Sequence, residues 1–164
     1  MALTTAQLTT LKADIIADAT LNAFPNNSDG AFAIATAYNL LASPDFIVWR
    51  TQVPTADCKK AMVWTEFIGR SAGERDSWQF MLSNGVINGA DTNIRQGIQD
   101  IFSGAQGAAT RAALTALAKT KASRIQKLFS TGTGSDASPA TMASNISEFY
   151  LLPYQEVELA RQLP

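Results

Sequence analysis

Histidine is absent from the 164 residues, and cysteine occurs once, at Cys58. The first absence removes the Ser-His-Asp and Cys-His nucleophile systems and every zinc site that needs an imidazole. The second excludes an internal disulfide or a multi-thiolate metal site, so folding does not depend on an oxidising compartment. Long apolar runs are missing as well. Stretches such as Phe46 to Trp49 fall far below the roughly 18 residues a membrane span requires, and the start, Met1-Ala2-Leu3-Thr4-Thr5, lacks the basic and apolar regions of a secretion signal. A protein that is soluble and made in the cytosol is expected. Acidic and basic side chains balance at 14 to 13, which leaves no global field to draw the molecule to nucleic acid or to an anionic membrane.

What is present is helical periodicity and a 46% hydrophobic share, enough for one well-filled core. Thr4-x-x-Gln7 is a capping box, followed by Leu8, Leu11, Ile15 and Ala19 at three- and four-residue steps. Ser28 or Asp29 can cap a second helix with Phe32, Ala35, Tyr38 and Leu41 or Ala42 on its buried side. Ser43-Pro44 is expected to open a short helix over Asp45 to Trp49. A further helix is expected from Thr55 to Ile68. Ser71-x-x-Glu74 is a second capping box, and its helix should end at Asn84-Gly85. Asp91 caps the next, with Ile94, Ile98, Ile101 and Phe102 as its stripe and Gly104 at its end. The longest helix is expected from Thr110 to Phe129, where alanines raise intrinsic helicity. The fold class that results is all-α, a bundle of about six to seven helices.

After Phe129 the composition changes to a Ser/Thr/Gly-rich spacer and then to an apolar tail with a short terminal helix from Pro153. The expected organisation is a helical body over residues 1–129 and a loop plus docking arm over 130–164. In the arm, Ile146 to Leu152 can pair as an extended segment. Phe149, Tyr150, Leu151, Leu152, Tyr154, Val157 and Leu159 are expected either to fold back on the body or to dock on another chain. Removing residues 143–164 is expected to abolish attachment and leave the body folded.

Groups capable of chemistry are sparse. Gly132-Thr-Gly-Ser-Asp-Ala-Ser shares only glycine content with a phosphate-binding loop and lacks its lysine. Glu66, Glu74 and Asp76 lie close in sequence, but Glu74 belongs to the Ser71 box and Asp76 to the first turn of that helix, where its dipole favours negative charge. Cys58 stands beside Lys59 and Lys60 and reads as a small core or interface side chain. No catalytic residue, metal or cofactor is expected. Charge is distributed unevenly: between Asp100 and Asp136 there is no acid, while Arg111, Lys119, Lys121, Arg124 and Lys127 add five cations on or beside the predicted long helix. Residues 1–57 are acidic by contrast. A basic face of this kind can meet an acidic neighbour in a head-to-tail ring or the phosphates of DNA.

Several stretches carry a resemblance. Asn26-Asn-Ser-Asp-Gly-Ala-Phe-Ala-Ile-Ala-x-Ala-Tyr-Asn-Leu, Ala42-Ser-Pro-Asp-Phe-Ile-Val-Trp-Arg-Thr, and Trp64-x-Glu-Phe-Ile-Gly-Arg-Ser-Ala-Gly-Glu-Arg-Asp-Ser-Trp-Gln, with Ile101-Phe-Ser-Gly and Leu128-Phe-x-Thr-Gly-Thr-Gly-Ser-Asp-Ala-Ser-Pro-Ala-Thr, are similar to small proteins of the virion structural module of tailed bacteriophages and prophages. The likeness covers most of residues 1–142. It implies a head-tail adaptor, or head-completion (neck) protein: a homo-oligomeric ring of about twelve copies beneath the portal, continuing the DNA channel. It would be assembled in the host cytoplasm and reside in the virion at the head-tail junction. The implied partners are further copies of the chain, the portal protein, downstream tail or nozzle proteins and packaged DNA without sequence readout, with no membrane. Two other readings remain open at this point: a tail-associated peptidoglycan hydrolase with Glu66 as acid and Asp76 as its partner, and a capsid decoration protein.

Overall fold

The computed structural model describes residues 2–164, with ten α-helices, one 3-10 turn (Ala105–Gly107) and a few short strands among them. Helix accounts for 54% of the structure, and the class is mixed α/β rather than the expected all-α bundle of six to seven helices. The chain forms two compact units, one of residues up to Val48 together with Lys121–Pro164, the other continuous over Trp49–Thr120. This division replaces the expected body and arm. The tail is part of the first unit.

In the first unit, α1 (Thr5–Ala17) opens with the predicted box, in which the Gln7 amide donates to Thr4 Oγ1 and Gln7 Oε1 accepts from the Thr4 amide. Asp18 accepts from the amides of Thr20 and Leu21 and starts a one-turn α2 (Ala19–Asn22). The cap of α3 (Ser28–Asn39) is Asn27, not Ser28 or Asp29, and accepts from the Gly30 amide at 2.9 Å. Its buried stripe is Ala31, Ile34, Ala35 and Tyr38, which leaves Phe32 exposed, a correction of one position to the predicted face. The short helix expected over Asp45 to Trp49 does not form. Ile47–Trp49 is β1, whose β-branched residues suit an extended chain, and its polar backbone is met from elsewhere: the Ile47 amide donates to Gly134 O (2.7 Å) and Ile47 O accepts from the Ala140 amide (2.9 Å).

The second unit contains β2 (Val53–Pro54), α4 (Thr55–Ala61), α5 (Trp64–Ile68), α6 (Ala72–Met81), β3 (Val86–Ile87), α7 (Thr92–Ile101) and α8 (Ala108–Leu117). The helix expected over Thr55 to Ile68 is broken into α4 and α5 at Met62-Val63, where the Val63 amide donates to the Thr110 hydroxyl at 3.1 Å instead of continuing the helix. The Ser71 box, the Asp91 cap and the left-handed Gly85 and Gly104 stand where expected. β2 and β3 pair antiparallel, with Val53 opposite Ile87. α4 packs on α8 and α6 on α7 around Val53, Cys58, Phe67, Trp78, Ile87, Phe102 and Leu114.

The long helix predicted from Thr110 to Phe129 is three pieces: α8, then β4 (Lys119–Lys121), then α9 (Arg124–Leu128). Helix propensity is a weak prior against a specific cap, and Ser123-x-x-Gln126 is a third capping box, with Gln126 Oε1 accepting the Ser123 amide at 2.8 Å. Within the first unit, β5 (Ser130–Thr131) and β6 (Thr141–Met142) form a small hairpin over the spacer. The tail has no strand between Ile146 and Leu152. It ends in α10 (Tyr154–Gln162), which packs against α1 and α3.

Candidate functional site

The tail is where the expected site and the observed structure can be compared residue by residue. Leu152 and Val157 are buried in the first unit's core beside Ile34 and Tyr38, and Tyr154 and Tyr150 pack partly against it. Polar bonds fix this placement. Glu156 accepts the Leu3 amide (2.9 Å) on one oxygen and the Tyr150 hydroxyl (2.5 Å) on the other. Asn39 donates to Leu152 O (3.1 Å) and accepts its amide (2.8 Å), Gln126 Nε2 donates to Ser147 O (3.0 Å), and Arg161 donates to the carbonyls of Phe24 and Pro25. Burial and the Glu156 acceptor hold the Tyr150 phenol far above its ordinary value. The expected extended arm is corrected: the segment is an integral part of its own unit, because it supplies core side chains and satisfies backbone groups that would otherwise be left unpaired.

Three of the predicted arm residues nevertheless face outward. The Tyr150 amide donates to Ser147 O at 3.0 Å, closing a turn with Phe149 near its tip. Phe149 is 66% exposed and Leu151 68%, alternating with the inward Tyr150 and Leu152, and Leu159 is exposed on α10. An alternation of this sort ties a strip of chain down on one side and leaves apolar surface on the other.

The five cations do not form a single basic helix face. Arg111 lies on α8, Lys119 and Lys121 on β4, and Arg124 and Lys127 on α9. Arg124 donates to Asp18 Oδ2 (2.8 Å) and Asp14 Oδ2 (2.9 Å) and stacks over the Tyr38 ring at 4.6 Å. The Tyr38 hydroxyl donates to the same Asp14 oxygen. The Arg124 bond and two backbone amides hold the Asp18 carboxyl below its ordinary value. Burial, followed by the Asp14 bond, pushes the Tyr38 phenol well above its own. Lys121 pairs with Asp45 at 2.7 Å, Lys127 sits over the Phe46 ring, and Arg111 donates to the carbonyls of Phe102 and Gly104. Thus the acidic N-terminal segment and three of the cations, Lys121, Arg124 and Lys127, meet inside one unit. Two of these cations, Lys121 and Arg124, are thus paired with Asp45, Asp14 and Asp18 of their own unit. An open cleft of about 470 Å³ beside Asp14, Asp18, Leu40, Leu41, Arg124 and Lys127 accompanies this network.

Two carboxylates of the second unit, Glu66 and Glu74, serve helix starts. Glu66 accepts the amides of Ala109 (3.2 Å) and Thr110 (2.8 Å) in the first turn of α8. Bonding from Thr110 first, and then from Ala109, lowers its pKa, the opposite of what a general acid requires. Glu74 is lowered in the same manner by Ser71. Cys58 is buried, and desolvation pushes its thiol up to about 11, with Asp57 acting in the same direction. The flanking lysines do not activate it. In the glycine-rich spacer, Gly134 lies flat on Phe46, where a Cβ would come within 2.2 Å of the ring, so this glycine serves packing rather than a phosphate. Among the described residues no group of three or more His, Cys, Asp or Glu side chains could hold a metal ion, and no helix is long and apolar enough to cross a membrane.

One feature of the second unit had no counterpart in the sequence reading. Between α4, α5 and α6 lies a groove of about 610 Å³ with Phe67, Trp78 and Leu82 as its floor, Met62 and Trp64 on its walls and Lys59, Gln79 and Ser83 at its edge. Trp64 is 60% exposed, with its ring 5.3 Å from that of Phe67. The Trp78 ring meets Phe102 edge to face, and its indole N–H is buried with no acceptor among the described residues; such an unmet donor costs about 1–3 kcal/mol. The Trp64-x-x-Phe67 spacing was a readable sign of aromatic clustering, but α4 ending at Ala61 is what opens the space. No protein-family model, curated protein or solved structure matches this chain.

Proposed function

We propose that this chain is a structural protein of a tailed-phage virion, an adaptor that assembles with copies of itself at the head-tail junction and joins the portal to downstream tail or nozzle proteins. The reading draws on the resemblance of residues 1–142 and on one structural observation that carries it. Phe149 and Leu151 are held outward by a tail whose alternate residues are anchored in the body. Large apolar side chains presented from a fixed strip are the means by which an assembly subunit meets a partner: burying each would contribute roughly 1.5–3 kcal/mol on association.

In such a ring the bore would pass DNA without sequence readout. We assign Lys121 and Arg124 to holding the subunit together rather than to phosphates, since Asp45, Asp14 and Asp18 already neutralise them. A hydrolytic role for Glu66 gains no support from its use as an α8 cap.

The test is incorporation. Antibody or mass spectrometry on purified particles should find roughly a dozen copies per virion, and electron microscopy of the protein mixed with portal rings should show added density on the portal's lower face. A Phe149→Ser/Leu151→Ser variant should lose that density while keeping its circular dichroism. Absence from mature particles overturns the reading, and hundreds of copies spread over the capsid would favour a decoration protein.

A further inference from the structure

We infer that the α4–α5–α6 groove of one copy receives the Phe149–Leu151 strip of a second copy, so that the chain associates head to tail. The inference rests on the assembly reading above and names both surfaces of one contact. The groove offers a floor of buried Phe67, Trp78 and Leu82, a wall at Met62, whose unbranched thioether adapts to varied shapes, and an exposed Trp64 that extends the aromatic surface outward. Its edge carries a cation, Lys59, and no acid. It therefore suits an apolar segment with negative charge nearby, and a volume of about 610 Å³ falls within the range of well-formed binding sites.

This chain displays such a segment. Phe149 and Leu151 project from a fixed turn, and both are about two-thirds exposed. The surrounding fields agree in sign. Trp49–Thr120 holds eight basic and six acidic side chains, and the remainder of the chain holds five and eight, so the unit bearing the groove is positive and the unit bearing the strip is negative. Pairing groove with groove about a two-fold axis would bring Lys59 toward Lys59. Leu159 offers a single apolar side chain. Because the two surfaces differ, the contact is heterologous, and repetition closes a ring or extends a filament.

The experiment uses the purified full-length chain alone. In sedimentation velocity the wild type should form concentration-dependent species larger than a dimer. Trp64→Ala, which spoils only the groove, and Phe149→Ser/Leu151→Ser, which spoils only the strip, should each weaken association by roughly tenfold or more while keeping the far-ultraviolet dichroism of the wild type. Mixed at equal amounts, the two variants should give a heterodimer and nothing larger, because one sound groove then meets one sound strip. The emission of Trp64 in the strip variant should shift to shorter wavelength as the groove variant is added. A wild type that stays monomeric at every concentration, a variant that assembles as the wild type does, or a mixture that stays monomeric would each overturn the inference. None of these results touches incorporation into particles, which tests the adaptor reading separately.

Discussion

The two units reach their cores by different routes. Trp49–Thr120 is one continuous stretch whose core contacts are made within that stretch: α4 with α8, α6 with α7, β2 with β3, and the buried Arg70 donating to the carbonyls of Glu66, Ser103 and Gln106. The other unit is assembled from both ends of the described chain. Leu3 bonds Glu156, Gln7 bonds Asn145, Lys12 donates to Leu163 O, and Arg124 reaches back to Asp14 and Asp18. A unit of the first kind can form from its own segment, whereas the second must close loops of more than 100 residues before those bonds form.

The largest expected effect separates them directly. Deleting residues 153–164 removes Val157 and Ala160 from the core and Glu156 from Leu3 and Tyr150, so the unit that contains α10 should lose its cooperative transition and its amide protection. Hydrogen exchange should show Trp49–Thr120 still protected, and a fragment of those residues alone should melt cooperatively. Loss of protection across the whole chain would abolish the distinction.

Two glycines allow a matched, smaller perturbation. A Cβ at Gly30 would lie 2.0 Å from Pro25 O and one at Gly107 2.1 Å from Phe102 O, both backbone atoms that cannot swing aside. Gly30→Ala and Gly107→Ala should each cost about 2–3 kcal/mol. Peptide-level exchange should place each loss in the substituted residue's own unit.

Acid should act on both units through different groups. Asp18 is lowered from 3.8 by Arg124, and Glu66 and Glu74 are lowered from 4.5 by Thr110 and Ser71. A carboxylate lowered on folding adds stability above its unfolded value, and this stability is lost as pH falls through the folded one. Denaturant titrations below pH 4.5 should therefore show declining stability in the wild type. Arg124→Met should be less stable at neutral pH and flatter below pH 3.8, in the Asp18 unit alone. The smallest effect is a gain. Gly97 lies inside α7, where a Cβ would meet Met81 Sδ at an ordinary 3.5 Å, so Gly97→Ala should stabilise the Trp49–Thr120 unit by about 0.5–1 kcal/mol in thermal melts.

This contrast also explains what the sequence revealed. Capping boxes at Thr4 and Ser71, the Asp91 cap and the glycines at 85 and 104 are local devices whose partners lie within a few residues, and each was legible. The interval 110–129 misled because alanine content speaks of intrinsic preference, whereas the chain there is governed by distant groups: the Ala118 carbonyl accepts from Arg50, and the Ala122 amide donates to Phe46 O. The tail's aromatic cluster was recognised as a surface-seeking element, but which residues turn inward depends on α1 and α3. Partition of Phe149 from Tyr150 could not be read from the run itself, because the Tyr150 hydroxyl finds its acceptor, Glu156, only once α10 has docked. The groove at Trp64 was hidden for the same reason, since it is a space left by packing rather than a residue pattern.

The bond between Glu156 and Leu3 has a consequence for synthesis. A ribosome releases the α1 and α3 segments early, but the surface they jointly build stays open until α10 has emerged, after all of Trp49–Thr120 has passed through the exit tunnel. The outward pose of Phe149 and Leu151 therefore depends on α10 being in place, because the Tyr150 between them is held through Glu156 of that helix.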